Sequence, residues 1–241
     1  MIVALDVDSA DRAFDLFESL CDVAGMFKIG SQLFTAAGPN IAQQIVERGG
    51  RVFLDLKFHD IPNTVAAAGA EATRLGVSIF NVHASGGAEM MKRTVAAVAE
   101  TAERENLTKP RVIAVTLLTS LAQTDLLEMG MIGEPRTLVA RLARSAADCG
   151  LGGVVASPQE IRTIREAVTN AGFLIVTPGI RATADGTDDQ RRTLTVAEAV
   201  RAGADYVVVG RPILNANDPT AAARSIAKEI ESALREPERT S

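Results

Sequence analysis

Phe53-Leu54-Asp55-Leu56-Lys57-Phe58-His59-Asp60-Ile61-Pro62-Asn63-Thr64 sets three charges where a strand should be closing, inside a run otherwise apolar enough to be buried. Side chains on a strand alternate faces, so Phe53, Asp55 and Lys57 share one face and Val52, Leu54 and Leu56 share the other. Asp55 and Lys57 therefore point the same way. Asp60, just past the strand end, is placed to return toward that lysine from a loop, giving an acid, base, acid cluster at one mouth of the fold. Isolated buried charges are very costly, so such clusters are usually paired and often functional.

Outward from this stretch, short β-rich runs alternate with Ala-rich amphipathic stretches, the pattern of a parallel sheet with crossover helices. The expected strands are Ile2 to Asp6, Met26 to Ile29, Val52 to Lys57, Ser78 to His83, Val112 to Leu117, Gly153 to Ala156, Leu174 to Thr177 and Tyr206 to Val209. Helices are expected over Pro62 to Leu75, Ala88 to Glu105, Pro135 to Cys149, Pro158 to Ala171 and Pro219 to Leu234, several with proline near the first turn. Eight βα units favour a closed (β/α)8 TIM barrel, one domain over residues 1–241. A doubly wound open sheet is the alternative, but Asp6-Val7-Asp8-Ser9 lacks the glycine fingerprint of dinucleotide binders. The long polar stretch from Pro178 to Arg192 breaks the rhythm and reads as a mobile lid over residues 179–194. The charged tail after Leu234 reads as frayed.

The chain has 241 residues, 47% hydrophobic and 4% aromatic, with a formal net charge of -5. That length and apolar content bury a large core within one domain. An acidic balance without a basic block argues against nucleic-acid or anionic-membrane partners, while a small anionic ligand remains compatible. Cys21 and Cys149 fit no metal or redox spacing and read as reduced thiols of a cytoplasmic protein, with no metal site implied. Met1-Ile2-Val3-Ala4-Leu5-Asp6 has no basic n-region and does not read as a signal peptide. No apolar run approaches the roughly 18 residues of a membrane span.

In a barrel of this type the site lies at the C-terminal ends of the strands. Asp6, Lys28, Asp55, Lys57 and His83 fall there, with Thr119 and Ser120 after strand five, Arg181 beyond strand seven and Gly210-Arg211 after strand eight. The loops after strands seven and eight commonly hold phosphate, and Val208-Val209-Gly210-Arg211-Pro212-Ile213 fits: glycine admits close backbone approach and arginine offers a fork of donors. A Gly-Arg pair is also an ordinary turn. Arg181 is placed to add a second charge. Both histidines, His59 and His83, are read as structural rather than as general bases.

The run Asp55-Leu56-Lys57-Phe58-His59-Asp60-Ile61-Pro62-Asn63-Thr64 resembles the signature of the orotidine 5'-phosphate decarboxylase family, in its bacterial branch. The likeness extends through Ala4-Leu5-Asp6, Phe27-Lys28-Ile29-Gly30, Asn81-Val82-His83-Ala84, Val115-Thr116-Leu117-Leu118-Thr119-Ser120, Thr177-Pro178-Gly179-Ile180-Arg181, Gln190 and Val209-Gly210-Arg211-Pro212-Ile213. The Asp-x-Lys-x-x-Asp core is shared with a magnesium-dependent family acting on 3-keto-L-gulonate 6-phosphate; Ile61-Pro62-Asn63-Thr64 and the lid glutamine favour the orotidylate family. A noncatalytic barrel binding a phosphorylated ligand is a third reading.

The resemblance implies conversion of orotidine 5'-phosphate to UMP without cofactor or metal, in a homodimer with shared active sites. It implies an alternating array of Lys28, Asp55 and Lys57 with Asp60 of the partner subunit, Lys57 being the proton donor. Asp6 and Lys28 would hold ribose hydroxyls, with Thr64 of the partner subunit nearby. Thr119 would lie near the pyrimidine. Arg181, Gln190, Gly210 and Arg211 would hold the phosphate end and fasten the lid.

Overall fold

Apolar residues on alternate strand positions sort into two layers in the computed structural model, which describes residues 1–181 and 194–235. The strands are β1 (Ile2–Ala4), β2 (Met26–Gly30), β3 (Val52–Phe58), β4 (Ile79–His83), β5 (Arg111–Val115), β6 (Gly153–Val155) and β7 (Leu174–Thr177), then the two-residue β8 (Ile180–Arg181) and β9 (Leu194–Thr195), and finally β10 (Tyr206–Val209). Eight of them close a parallel barrel in the order β1-β10-β7-β6-β5-β4-β3-β2, while β8 and β9 pair separately. Closure excludes the open doubly wound sheet.

Inside the barrel, Ile2, Ala4, Met26, Phe53, Ile79, Ile113, Val176 and Val208 form one buried cluster. Their strand neighbours Val3, Phe27, Val52, Leu54, Phe80, Val112, Ile175 and Val209 face outward and pack in a second cluster with the helices. Removing both faces from water is why the strands read as nearly continuous apolar runs. The face assignment made for Phe53 against Val52 and Leu54 is the observed one.

Proline marked the helix entrances. Helices begin at Pro62, Pro135 and Pro219, and a 3-10 turn begins at Pro158. At N1 a missing N–H leaves no intrahelical bond unmade. Ends were less legible. The segment expected to be helical from Pro158 to Ala171 is a 3-10 turn, Pro158–Glu160, followed by a helix over Ile161–Ala167. Val168 takes extended angles (φ -127°, ψ 102°) and the Asn170 side chain accepts the Gly172 N–H at 2.9 Å, building a turn in place of another helical one.

Three strands are shorter than expected at the functional end, β6 by a single residue, ending at Val155 rather than Ala156. The strand drawn to Asp6 stops at Ala4, with one further bond from Leu5 N to Lys28 O at 2.9 Å. The strand drawn from Val112 to Leu117 is Arg111–Val115, because its last ladder partner, Val155, ends β6. Most of the segment read as a lid, and the tail beyond Arg235, lie outside the described residues. Among the described residues no helix is long and apolar enough to cross a membrane.

Candidate active site

The inward positions of the barrel strands change character toward their C-terminal ends. Beyond Ala4 comes Asp6, beyond Met26 comes Lys28, beyond Phe53 comes Asp55 and beyond Ile79 comes Asn81. A two-residue side-chain period thus stacks a polar layer on the apolar one.

Within this layer the charges alternate. The Lys28 ammonium lies 2.8 Å from Asp6 Oδ1 and 3.5 Å from Asp55 Oδ2. The Lys57 ammonium lies 2.7 Å from Asp55 Oδ1. Asp55 Oδ1 also accepts from the Asn81 amide Nδ2 at 2.7 Å. Buried ion pairs offset their desolvation only when several hydrogen bonds converge on them, and Asp55 meets that condition. Side-chain exposure rises from 11% at Lys28 and 12% at Asp55 to 35% at Lys57 and 49% at Asp6, so the lysine beyond Asp55 retains a face toward the mouth.

Lys57 reaches Asp55 through an unusual backbone. Its φ is 53°, the left-handed region that residues bearing a Cβ rarely adopt. The β3–β4 pairing shifts register between Leu54 and Phe58. Simple alternation therefore placed Lys57 on the correct side without anticipating the irregularity that carries it there.

Gly30 is matched to the same cluster by its lack of a side chain. A Cβ built there would lie 3.0 Å from Lys28 Nζ and 3.3 Å from Asp6 Oδ1. It pairs in register with Asp55, so the ladder puts the bare position beside the array. Neither Gly30 nor Asn81 was assigned a role from sequence, although a polar residue at an inward position of the apolar strand Ile79-Phe80-Asn81-Val82-His83 was a usable signal for Asn81.

The return of Asp60 toward Lys57 of its own chain does not occur. Asp60 is exposed, its Oδ1 accepts the Ile61 N–H at 2.6 Å, and among the described residues no ion pair joins it to Lys57. The carboxylate is engaged with the backbone at the entrance of the helix Pro62–Arg74. Thr64 is exposed on that helix's first turn, beside Ile61, which is 67% exposed.

At the opposite side of the mouth, a Cβ on Gly210 would come within 3.7 Å of Asp6 Oδ2, so the end of β10 abuts the array. Arg211 follows, exposed. Thr119 is half-buried in the turn after β5. Arg181 belongs to β8, its backbone paired with Thr195, and Gln190 lies outside the described residues.

The His59 and His83 rings stack obliquely, centroids 5.2 Å apart and planes at 33°. Burial holds the His83 pKa below the ordinary value, His59 and Lys57 push the same way, and Asp55 opposes them. At neutral pH that favours an uncharged His83 imidazole beside the charged array.

Comparison with known proteins adds three findings. The family model described as "Orotidine 5'-phosphate decarboxylase / HUMPS family" matches residues 1–226. Proteins named orotidine 5'-phosphate decarboxylase from Moorella thermoacetica and Geobacter sulfurreducens are 54% and 52% identical to this chain, covering 96% and 95% of it and 92% and 95% of their own lengths. The crystal structure of orotidine 5'-phosphate decarboxylase from Lactobacillus acidophilus superposes with a TM-score of 0.83 at 35% identity, over 95% of this chain and 98% of that one.

Proposed function

The chain belongs to the orotidine 5'-phosphate decarboxylase / HUMPS family, and from that premise we propose that it converts orotidine 5'-phosphate to UMP and CO2, with Lys57 as proton donor. The observation carrying this reading is the alternating array of Asp6, Lys28, Asp55 and Lys57 at the barrel mouth.

In this reaction the bond from C6 of the pyrimidine to the carboxylate breaks and CO2 leaves. The electron pair stays at C6 in an in-plane orbital that the ring π system does not absorb. Catalysis must therefore supply roughly 20 kcal/mol, near the top of the enzymatic range. Fixed charge arranged before reaction in a partly dehydrated site is a source of that size. The Lys57 ammonium stabilises the developing carbanion and then transfers its proton to C6, giving UMP and a neutral amine that solvent reprotonates. Asp55 beside the substrate carboxylate raises the ground state.

A divalent cation bridging Asp6 and Asp55 would need the place that Lys28 takes, with its ammonium between the two carboxylates. This supports a metal-independent reaction. Asp6 and Lys28 hold ribose hydroxyls, and Thr119 lies near the pyrimidine. Gly210 and Arg211, with Arg181 and Gln190 from a lid over residues 179–194, hold the phosphate. Binding energy at that remote group closes the lid and so lowers the barrier as well as the KM.

The active form in this proposal is a cytoplasmic homodimer whose sites are completed by Asp60 and Thr64 of the partner subunit. The exposure of Asp60, Ile61 and Thr64 on one helix entrance supports it. UMP, the product, occupies the same pocket.

The test follows the ultraviolet absorbance of orotidylate with and without EDTA. Turnover that survives EDTA is the expected result. Abolition by EDTA, magnesium-dependent turnover of 3-keto-L-gulonate 6-phosphate instead, or binding of orotidylate without turnover would each overturn it.

A further inference from the structure

Asn81 sits at the break in the β3–β4 ladder. Leu54 pairs with Phe80, and pairing resumes with Phe58 opposite Val82. Four steps along β3 thus match two along β4, and Asp55, Leu56 and Lys57 face Asn81 alone. Such a bulge strips backbone groups of their ladder partners, and a buried N–H needs a replacement. The Asn81 side chain provides one: its Oδ1 accepts the Lys57 N–H at 2.8 Å, while its Nδ2 donates to Asp55 Oδ1 at 2.7 Å. The residue is fully buried.

The chemistry of the two partners fixes which end of the amide faces which, since an N–H requires an acceptor and a carboxylate requires a donor. One short neutral side chain therefore ties the acid at the centre of the array to the backbone of the lysine. That backbone is held at φ 53°, which costs a residue with a Cβ and persists only where its surroundings enforce it.

We propose that Asn81 is a positioning residue for decarboxylation: it locks the left-handed turn at Lys57 and orients the Asp55 carboxylate, so that the Lys57 ammonium is delivered to C6. This rests on the reading of Lys57 as proton donor. Asn81 acts through Asp55 and Lys57, so removing it loosens that pair while the ribose and phosphate contacts of the other residues persist.

Asn81→Ala and Asn81→Asp should be compared with wild type for kcat, UMP affinity and circular dichroism. In Asn81→Ala, kcat should fall about 100-fold with UMP affinity kept within about threefold, as expected when a supporting hydrogen bond is removed. Asn81→Asp preserves shape, and burial against Asp55 raises the pKa of the new carboxyl. Protonated, it donates to Asp55 and accepts from Lys57 as the amide does. The ratio of variant to wild-type kcat should therefore be highest at acid pH and fall as pH rises.

Wild-type kcat in both variants, a parallel loss of kcat and UMP affinity, or an Asn81→Asp ratio flat with pH would overturn the proposal. Failure of both variants to fold would also do so, leaving Asn81 a purely structural residue. Should Asn81→Ala alone fail to fold, the pH ratio of Asn81→Asp decides. Lys57→Ala separates the two levels: if it retains turnover, the proton-donor reading falls; if it is inactive while the Asn81 variants match wild type, only the positioning role falls.

Discussion

Lys57 Nζ and Asp55 Oδ1 lie 2.7 Å apart although the lysine backbone has left the extended region for φ 53°. Two residues apart on a regular strand, their side chains would stand side by side along the strand axis. The turn at Lys57, together with the Asn81 amide, makes the pair an internal feature of the fold. The geometry of this pair is thus fixed by contacts within one chain, which is what the proposed electrostatic catalysis would use.

Gly30→Ala should damage binding more than folding. Its Cβ would stand 3.0 Å from Lys28 Nζ, the far end of a flexible chain, which must move and so loosen its contacts to Asp6 and Asp55. The thermal midpoint should shift by no more than a few degrees, whereas UMP affinity should fall about tenfold. Titration with UMP alongside a melting curve checks both. Unchanged affinity would show that the array tolerates the methyl group.

Arg211→Ala should weaken orotidylate strongly yet leave the phosphate-free nucleoside orotidine nearly unaffected. Only one of the two substrates carries the group Arg211 is proposed to hold, so the ratio of kcat/KM values isolates that contact. Loss of a charge-assisted bidentate contact corresponds to about 2–3 kcal/mol, or roughly 30- to 150-fold in kcat/KM for orotidylate. An equal loss for both substrates would contradict the assignment.

Subunit mixing tests the shared site. Lys57→Ala and Asp60→Ala homodimers should each lose roughly four orders of magnitude in kcat. A mixed dimer collects both lesions in one site and leaves the other intact, giving about half of wild-type activity per mixed dimer and roughly a quarter overall after random equal exchange. If Asp60 served its own chain, every site would carry one lesion. No recovery despite verified exchange would then rule out the partner assignment.

Acid should weaken the fold through His83. Its folded pKa lies below the ordinary 6.5, chiefly because burial disfavours the imidazolium. In the window from 6.5 down to that lower value the unfolded chain binds more protons, so stability falls as pH falls and is restored above 6.5. His83→Gln should flatten this part of a urea-denaturation series between about pH 5 and 7.5. An undiminished slope would assign the dependence to other groups.

Period-two alternation and proline at helix entrances are local properties, and the barrel strands and most helix starts could be read from them. The apolar runs could be recognised because each barrel strand is buried on both faces. Asp55, Lys57 and Lys28 stood out in sequence for the same reason, as charges within runs that exclude charge. The ends of β1 and β5 and of the helix at Ile161–Ala167 were misplaced, because an element stops where a neighbour or a turn takes over its hydrogen bonds.

What the sequence determined by itself is the barrel, the mouth at which the charges gather, and the family likeness carried by the motif from Asp55 to Thr64. Tertiary structure alone decided that Asp60 turns to the backbone at Ile61 rather than to its own Lys57, that Gly30 leaves room for Lys28, and that Asn81 spans the bulge. The placing of Gly30 beside Asp55 and of Asn81 across the bulge depends on the register between β2, β3 and β4. Register joins residues more than twenty positions apart, and no window of local sequence contains both partners.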